Sequence, residues 1–275
     1  MPLLFFPLYY QLLEAYHPNS YTPPISNISI IETTPTPSSQ VLGIKTTNPL
    51  VMPPIGGNGQ IIDLALLGDS MVDTLNQDLC QKSFQKYFPT TKFNLLDYGY
   101  GSTNIESAIK RLNESTTYLG KDNPSILSQN PDIILIESFA YNNFGNSESG
   151  INRQNQALTI LTDTIKKRLP DTKIILASTI APNSISFSNG VKNIYLSSFE
   201  KIEKTSTIKL YLQNLINFAN KNNFTLADAF HPSLFGQDGL DLLIDSVDHI
   251  HPSELGSELF CDTVAKSILE SHLIN

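Results

Sequence analysis

Ile61–Ile62–Asp63–Leu64–Ala65–Leu66–Leu67–Gly68–Asp69–Ser70 is apolar at six of its first seven positions and ends on a turn that carries a serine. A short, nearly unbroken apolar run bounded by turn residues suits a strand covered on both faces, as in a parallel sheet. Gly68 lets the backbone turn sharply, and the pattern over 71–88 predicts a helix directly after it. Ser70 then stands at the carboxyl end of the first strand, the edge of an open α/β sheet where ligands bind. A hydroxyl there is placed to act as a nucleophile. It is equally a good helix N-cap, and this stretch alone leaves both readings open.

Downstream, strand and helix patterns alternate. Residues 93–98, 132–139, 173–179 and 224–229 read as four further strands. Residues 104–118, 151–169, 207–222 and 253–272 carry helical spacing. Pro170 stops the second of these helices. Alternation of this kind predicts a three-layer α/β/α domain with a five-stranded parallel sheet, flavodoxin-like, compatible with strand order 2-1-3-4-5. Two long irregular stretches, 180–206 and 230–250, each follow a strand and are expected to rim the edge that holds Ser70.

Upstream the composition changes. Residues 1–16 (MPLLFFPLYYQLLEAY) are apolar and aromatic, too short to span a bilayer and without the basic start and cleavage site of a secretory signal. They read as the remnant of a membrane anchor or as a docking segment. Residues 17–60 are rich in Pro, Thr and Ser and read as a linker or an arm lying across the domain, with 41–44 as a short strand. The domain itself is expected over 61–275, facing outward from the cytoplasm. With 26 acidic and 18 basic residues, a net charge of −8 and no basic cluster, the chain is not a nucleic-acid binder. Cys80 and Cys261 fall in predicted helices and read either as buried thiols or as one long-range disulfide.

Several groups capable of chemistry fall after strands. Ser70 follows the first, Gly101 the second and Asn142 the third, while Asp248 and His251 lie beyond the fifth. A serine needs a base, and the base works best when a carboxylate fixes its tautomer; Asp248-x-x-His251 supplies both. The N–H groups of Ser70 and Gly101 and the amide of Asn142 are three donors for an oxyanion. Each residue also has a plainer reading: Gly101 as a turn glycine, Asn142 as a cap, Asp248 as the cap of a turn at 249–250. His249 competes with His251 as base. Pro252 biases His251 toward extended backbone, which aims it over the sheet edge and leaves His249 pointing elsewhere. His231–Pro232 is similar locally and reads as a loop. Asp69, Asp248, His249 and His251 are metal-binding types, but no helical ligand pair accompanies them, and no metal or other cofactor is expected.

Taken in order, Gly68–Asp69–Ser70, Tyr98–Gly99–Tyr100–Gly101–Ser102–Thr103, Ala140–Tyr141–Asn142–Asn143 and Asp248–His249–Ile250–His251–Pro252 resemble the blocks of the SGNH/GDSL esterases and lipases. The resemblance covers roughly residue 61 to the C-terminus. It implies Ser70 as nucleophile, His251 as base, Asp248 as its carboxylate, and an oxyanion hole of Ser70, Gly101 and Asn142. The third block departs from the family's Gly-x-Asn-Asp: the amide is kept, the glycine and aspartate are lost, and Asn143 is the fallback. Asp69, Tyr100 and Tyr141 are expected to touch substrate, with Phe139 and Phe144 lining the same pocket. The implied function is hydrolysis of a carbohydrate acetyl ester, short-chain acyl ester or lipid ester, on a small molecule or a polymer. O-acyl transfer to a sugar hydroxyl and a non-catalytic anchored binding domain are the alternatives.

Overall fold

A computed structural model describes residues 59–274. The expected anchor or docking segment, the short strand at 41–44 and all but the last two residues of the expected linker lie outside the described residues. The elements, in chain order, are β1 (Ile61–Gly68), α1 (Ser70–Asp73), α2 (Gln77–Tyr87), β2 (Lys92–Gly99), α3 (Ile105–Asn113), β3 (Thr116–Tyr118), β4 (Lys121–Asn123), α4 (Ile126–Gln129), β5 (Ile133–Glu137), α5 (Glu148–Arg168), β6 (Lys173–Ser178), α6 (Ser198–Lys221), β7 (Thr225–Asp228), β8 (Leu234–Phe235), β9 (Asp238–Gly239) and α7 (Glu254–Glu270).

Five strands form one parallel sheet in the order β2-β1-β5-β6-β7. Alternate side chains of β1 leave on opposite faces, as the strand period of two requires. Ile62, Leu64 and Leu66 pack with Phe84 of α2 and Phe260, Val264 and Ile268 of α7. Ala65 and Leu67 pack with Ala108 and Leu112 of α3, Leu158 and Leu161 of α5 and Leu215 of α6. Both sets are buried, which is why β1 had to read as an apolar run rather than an alternating one. The three-layer α/β/α expectation holds.

The differences are local and have local causes. The predicted helix over 71–88 is two helices, because Asn76 starts a second one by accepting the Leu79 N–H with its side chain. The predicted helix over 104–118 stops at Asn113. Its last residues form instead the first strand of a hairpin, β3–β4, turned at Leu119 and Gly120, both with positive φ. α6 starts nine residues early, at Ser198, on a Ser197/Glu200 capping box. That shortens the first irregular stretch by a third of its length or so.

A disulfide joins Cys80 of α2 to Cys261 of α7, with Cα atoms 4.9 Å apart. It closes a separation of 181 residues, so it removes much freedom from the unfolded chain. Replacing both cysteines by alanine is expected to lower unfolding free energy by about 2–5 kcal/mol. The check is the urea midpoint under oxidising conditions; a midpoint equal to that of the unmutated protein would mean that the bond contributes nothing.

Candidate active site

The site is built where β1 ends. Gly68 pairs with Gly99 in register, and its φ is not positive. The expectation that Gly68 serves a sharp turn is therefore corrected: it serves close approach. A Cβ there would lie 2.2 Å from Val72 Cγ2, so nothing larger lets α1 fold back onto the strand. Asp69 caps α1, its Oδ1 accepting the Met71 N–H at 2.8 Å. Ser70 follows as the first residue of α1 and is 8% exposed. The cap of this helix is therefore Asp69 and not Ser70.

Asp69 is 0% exposed, so the expectation that it touches substrate is not met. Its Oδ2 accepts from the Asn142 side-chain amide at 2.8 Å, which ties the nucleophile turn to the segment after β5. Burial pushes the Asp69 carboxyl up; the Asn142 amide, the Met71 N–H and the charges of His251 and Arg111 pull it down without cancelling that. Asn142 lies on a single helical turn, Ala140–Asn142, entered through Phe139 at φ +54. A bulky residue in the left-handed region is strained. Here the Phe139 N–H is held by Glu137 Oε2 at 2.8 Å. Burial, with the charge of Asp69 beside it, raises the Glu137 carboxyl well above its usual range. The Asn143 amide donates to Ala140 O and its oxygen accepts the Gly145 N–H.

Tyr100 and Tyr141 are buried, 6% and 8% exposed. The Tyr141 hydroxyl donates to Ile180 O, and that of Tyr100 is engaged by Thr116 and Asn123. Both hydroxyls are thus engaged within the protein. Gly101 does lie beside the nucleophile: a Cβ on it would stand 3.8 Å from Ser70 Cβ. Its N–H, however, donates to the Tyr118 hydroxyl at 2.8 Å.

His251 follows from the loop before α7. A carboxylate can only accept, so Nδ1 donates to Asp248 Oδ2, at 2.6 Å. Asp248 Oδ1 takes the N–H groups of Ile250 and His251. Burial pushes the Asp248 carboxyl up, but the hydrogen bond and charge of His251 and these two N–H groups prevail, and it titrates below its usual range. With Nδ1 protonated, Nε2 is an acceptor. It is buried and has no hydrogen-bond partner among the described residues. The expected bond from Ser70 Oγ is therefore not formed; such contacts often tighten only once substrate is bound. Ile250 packs in one cluster with Met71, Ala140 and Tyr141, and the charge of His251 acts on Asp69. That cluster places the loop near the turn that carries Ser70. His249, at φ +55, turns away. Its Nδ1 lies 3.7 Å from Asp241 Oδ1, so it is not the histidine that faces Asp248.

Three features escaped the sequence reading. The first is a second Asp-x-x-His-Pro: Asp228 stands three residues before His231, so reading His231 as a loop residue overlooked its carboxylate. The two dyads share three bonds, His231 Nδ1 lying 2.6 Å from Asp228 Oδ2 and Oδ1 taking the N–H groups of Phe230 and His231, but Asp228 Oδ1 also accepts the Ser178 hydroxyl at 2.9 Å. They differ in place. The His231 side chain is 51% exposed against 10% for His251, and β7 lies three strand spacings from β1 in the sheet, roughly 14 Å.

The second is Arg111, 1% exposed, whose guanidinium donates to Gly68 O and Tyr98 O at 2.7 and 2.5 Å and lies over the Tyr100 ring. Burial lowers its pKa to about 10. It locks the carboxyl ends of β1 and β2 together beneath Ser70. Arg111→Met leaves those carbonyls without that donor, and a loss of about 3 kcal/mol is expected, read as a lowered Tm. An unchanged Tm would remove the clamp from the account. The third feature is Tyr118, taken up below.

A cavity of about 300 Å³ lies at the opposite end of the sheet, where β1, β5 and β6 begin, lined in part by Gln60, Arg168 and Lys173. Its lining holds no serine, cysteine or histidine, and its titratable groups are Asp132, Asp171, Arg168 and Lys173.

No family model matches the chain, and no curated protein matches it. Solved structures do. An acetyl xylan esterase is 15% identical, with TM-score 0.52, covering 76% of this chain and 99% of its own. A GDSL-like lipase from Bacteroides thetaiotaomicron is 12% identical, with TM-score 0.52, covering 76% and 88%. The lipase/acylhydrolase from Enterococcus faecalis is 16% identical, with TM-score 0.51, covering 76% and 96%. At such identities the likeness speaks to architecture: this chain has the α/β fold on which those esterases and lipases are built.

Proposed function

We propose that this protein is a serine ester hydrolase working through an acyl-enzyme. The observation that carries the reading is the His251 Nε2: buried, unpartnered among the described residues, backed by Asp248, and within electrostatic reach of the residue that precedes Ser70. An unpaired buried acceptor is costly and asks for a donor. The nearby candidate is the Ser70 hydroxyl. Ser70 Oγ attacks the ester carbonyl as Nε2 takes its proton, and the imidazolium is stabilised by Asp248. The oxyanion is met by the Ser70 N–H and the second hydrogen of the Asn142 amide, the first being spent on Asp69. His251 returns the proton to the departing alcohol, then draws one from water that releases the acid.

The test is a fluorophosphonate probe with peptide mapping, run beside a panel of p-nitrophenyl esters. Adduct on the Ser70 peptide and ester turnover are expected. An unlabelled protein would leave the non-catalytic binding domain. Product analysis with a sugar acceptor reads hydrolysis against acyl transfer. The esterases and lipases above share the fold, and their substrates suggest acyl esters of sugars or lipids. The Cys80–Cys261 bond supports an oxidising, extracytoplasmic compartment.

A further inference from the structure

The Gly101 N–H, aimed by the sequence reading at the oxyanion, is occupied. The Tyr118 hydroxyl accepts it at 2.8 Å and itself donates to Asp73 Oδ2 at 2.7 Å. Burial and the bond to Asp73 push this phenol up to about 12, so it stays a donor at neutral pH. Its ring stacks on Tyr100 with centroids 4.3 Å apart. A Cβ at 101 would stand 3.0 Å from the phenol oxygen and 3.8 Å from Ser70 Cβ, so a larger residue there would crowd the hydroxyl and shift it by a few tenths of an ångström.

Tyr118 is the last residue of β3, next to the Leu119–Gly120 turn. A hairpin with three-residue strands is a weak element on its own, and it reaches the site only through side chains. An N–H serves one acceptor well. An ester oxygen that comes to Ser70 and takes the Gly101 N–H has to remove the phenol first.

We propose that Tyr118 is a displaceable occupant of the oxyanion hole: it holds the Gly101 N–H in the empty enzyme and gives it up to the substrate carbonyl, with Asp73 keeping the released hydroxyl paired. This rests on the esterase reading. Tyr118 acts as a positioning residue, setting how readily a third donor is added to those of Ser70 and Asn142. The opposing possibility is that Tyr118 donates to the oxyanion itself.

The experiment compares wild type, Tyr118→Phe and Asp73→Asn by kcat and KM on p-nitrophenyl acetate, by the rate of fluorophosphonate labelling, and by hydrogen exchange at the Gly101 amide. With the latch removed, Tyr118→Phe is expected to raise kcat/KM and the labelling rate about three- to tenfold and to speed Gly101 exchange. Asp73→Asn, with a weaker acceptor, moves all three the same way by less, and stands in should the phenylalanine variant not fold. A fall of about 10²–10³-fold would make Tyr118 an oxyanion donor and overturn the proposal. So would unchanged rates in both variants. If wild type neither labels nor turns over ester, the esterase reading itself has failed, a result distinct from an active enzyme that ignores position 118.

Discussion

Ser70→Ala is expected to lose at least about 10⁴-fold in ester turnover and all fluorophosphonate labelling, with an unfolding midpoint close to that of wild type. The substitution removes one oxygen. The Ser70 contacts that build the turn are main-chain: its carbonyl accepts from the Thr74 N–H and the Thr74 hydroxyl. The cap belongs to Asp69, and alanine keeps the Cβ that packs toward Gly101. A change this small in volume, at a residue already first in its helix, leaves the core untouched. Residual rate over water then comes from the remaining N–H and amide donors. Wild-type turnover in the variant would end the esterase proposal.

His251→Ala is expected to fall by a similar factor, about 10⁴-fold, while His231→Ala stays within about twofold of wild type. This comparison is unusually well controlled because both histidines occupy the same local structure. Each donates Nδ1 to a carboxylate at 2.6 Å, and each has that carboxylate held by two backbone N–H groups. Two things separate them: the Ser178 hydroxyl, which donates to Asp228 alone, and the surroundings of the other ring nitrogen. That of His251 is buried without a partner at the nucleophile edge; the His231 ring is half exposed at the end of a strand at the far side of the sheet. The measurement is kcat/KM for both variants on one ester. Equal losses would mean that the dyad is structural in both places. Loss at His231 alone would move the site.

The two dyads also mark the limit of motif reading. Asp-x-x-His-Pro is a local device: an aspartate that caps its own turn and orients a histidine three residues on, wherever it stands. Only the path of the chain tells which copy reaches Ser70. The same holds for Gly101. Its identity and its place after β2 were legible, because a glycine there permits close approach. That a tyrosine seventeen residues further along takes its N–H was not, because 116–118 continue a helix-like pattern and the hairpin depends on the turn at Leu119–Gly120.

The type of the five main strands and the three layers were readable from residue pattern, while the order of the strands in the sheet was compatible with that pattern and fixed only by the fold. Strand type and layering follow from backbone geometry and apolar periodicity, which act over a few residues at a time. The four blocks were legible in another way, through their resemblance to those of the SGNH/GDSL esterases and lipases. Tertiary structure alone decided the rest: that Asp69 faces inward to hold Asn142, that the Tyr100 and Tyr141 hydroxyls are engaged within the protein, that Cys80 meets Cys261, and that Arg111 locks two strand ends beneath the nucleophile. Each of these is a pairing of polar or sulfur groups across 13 to 181 positions of chain. Such pairs are set by which side chains the packed layers bring together, and no local pattern encodes that.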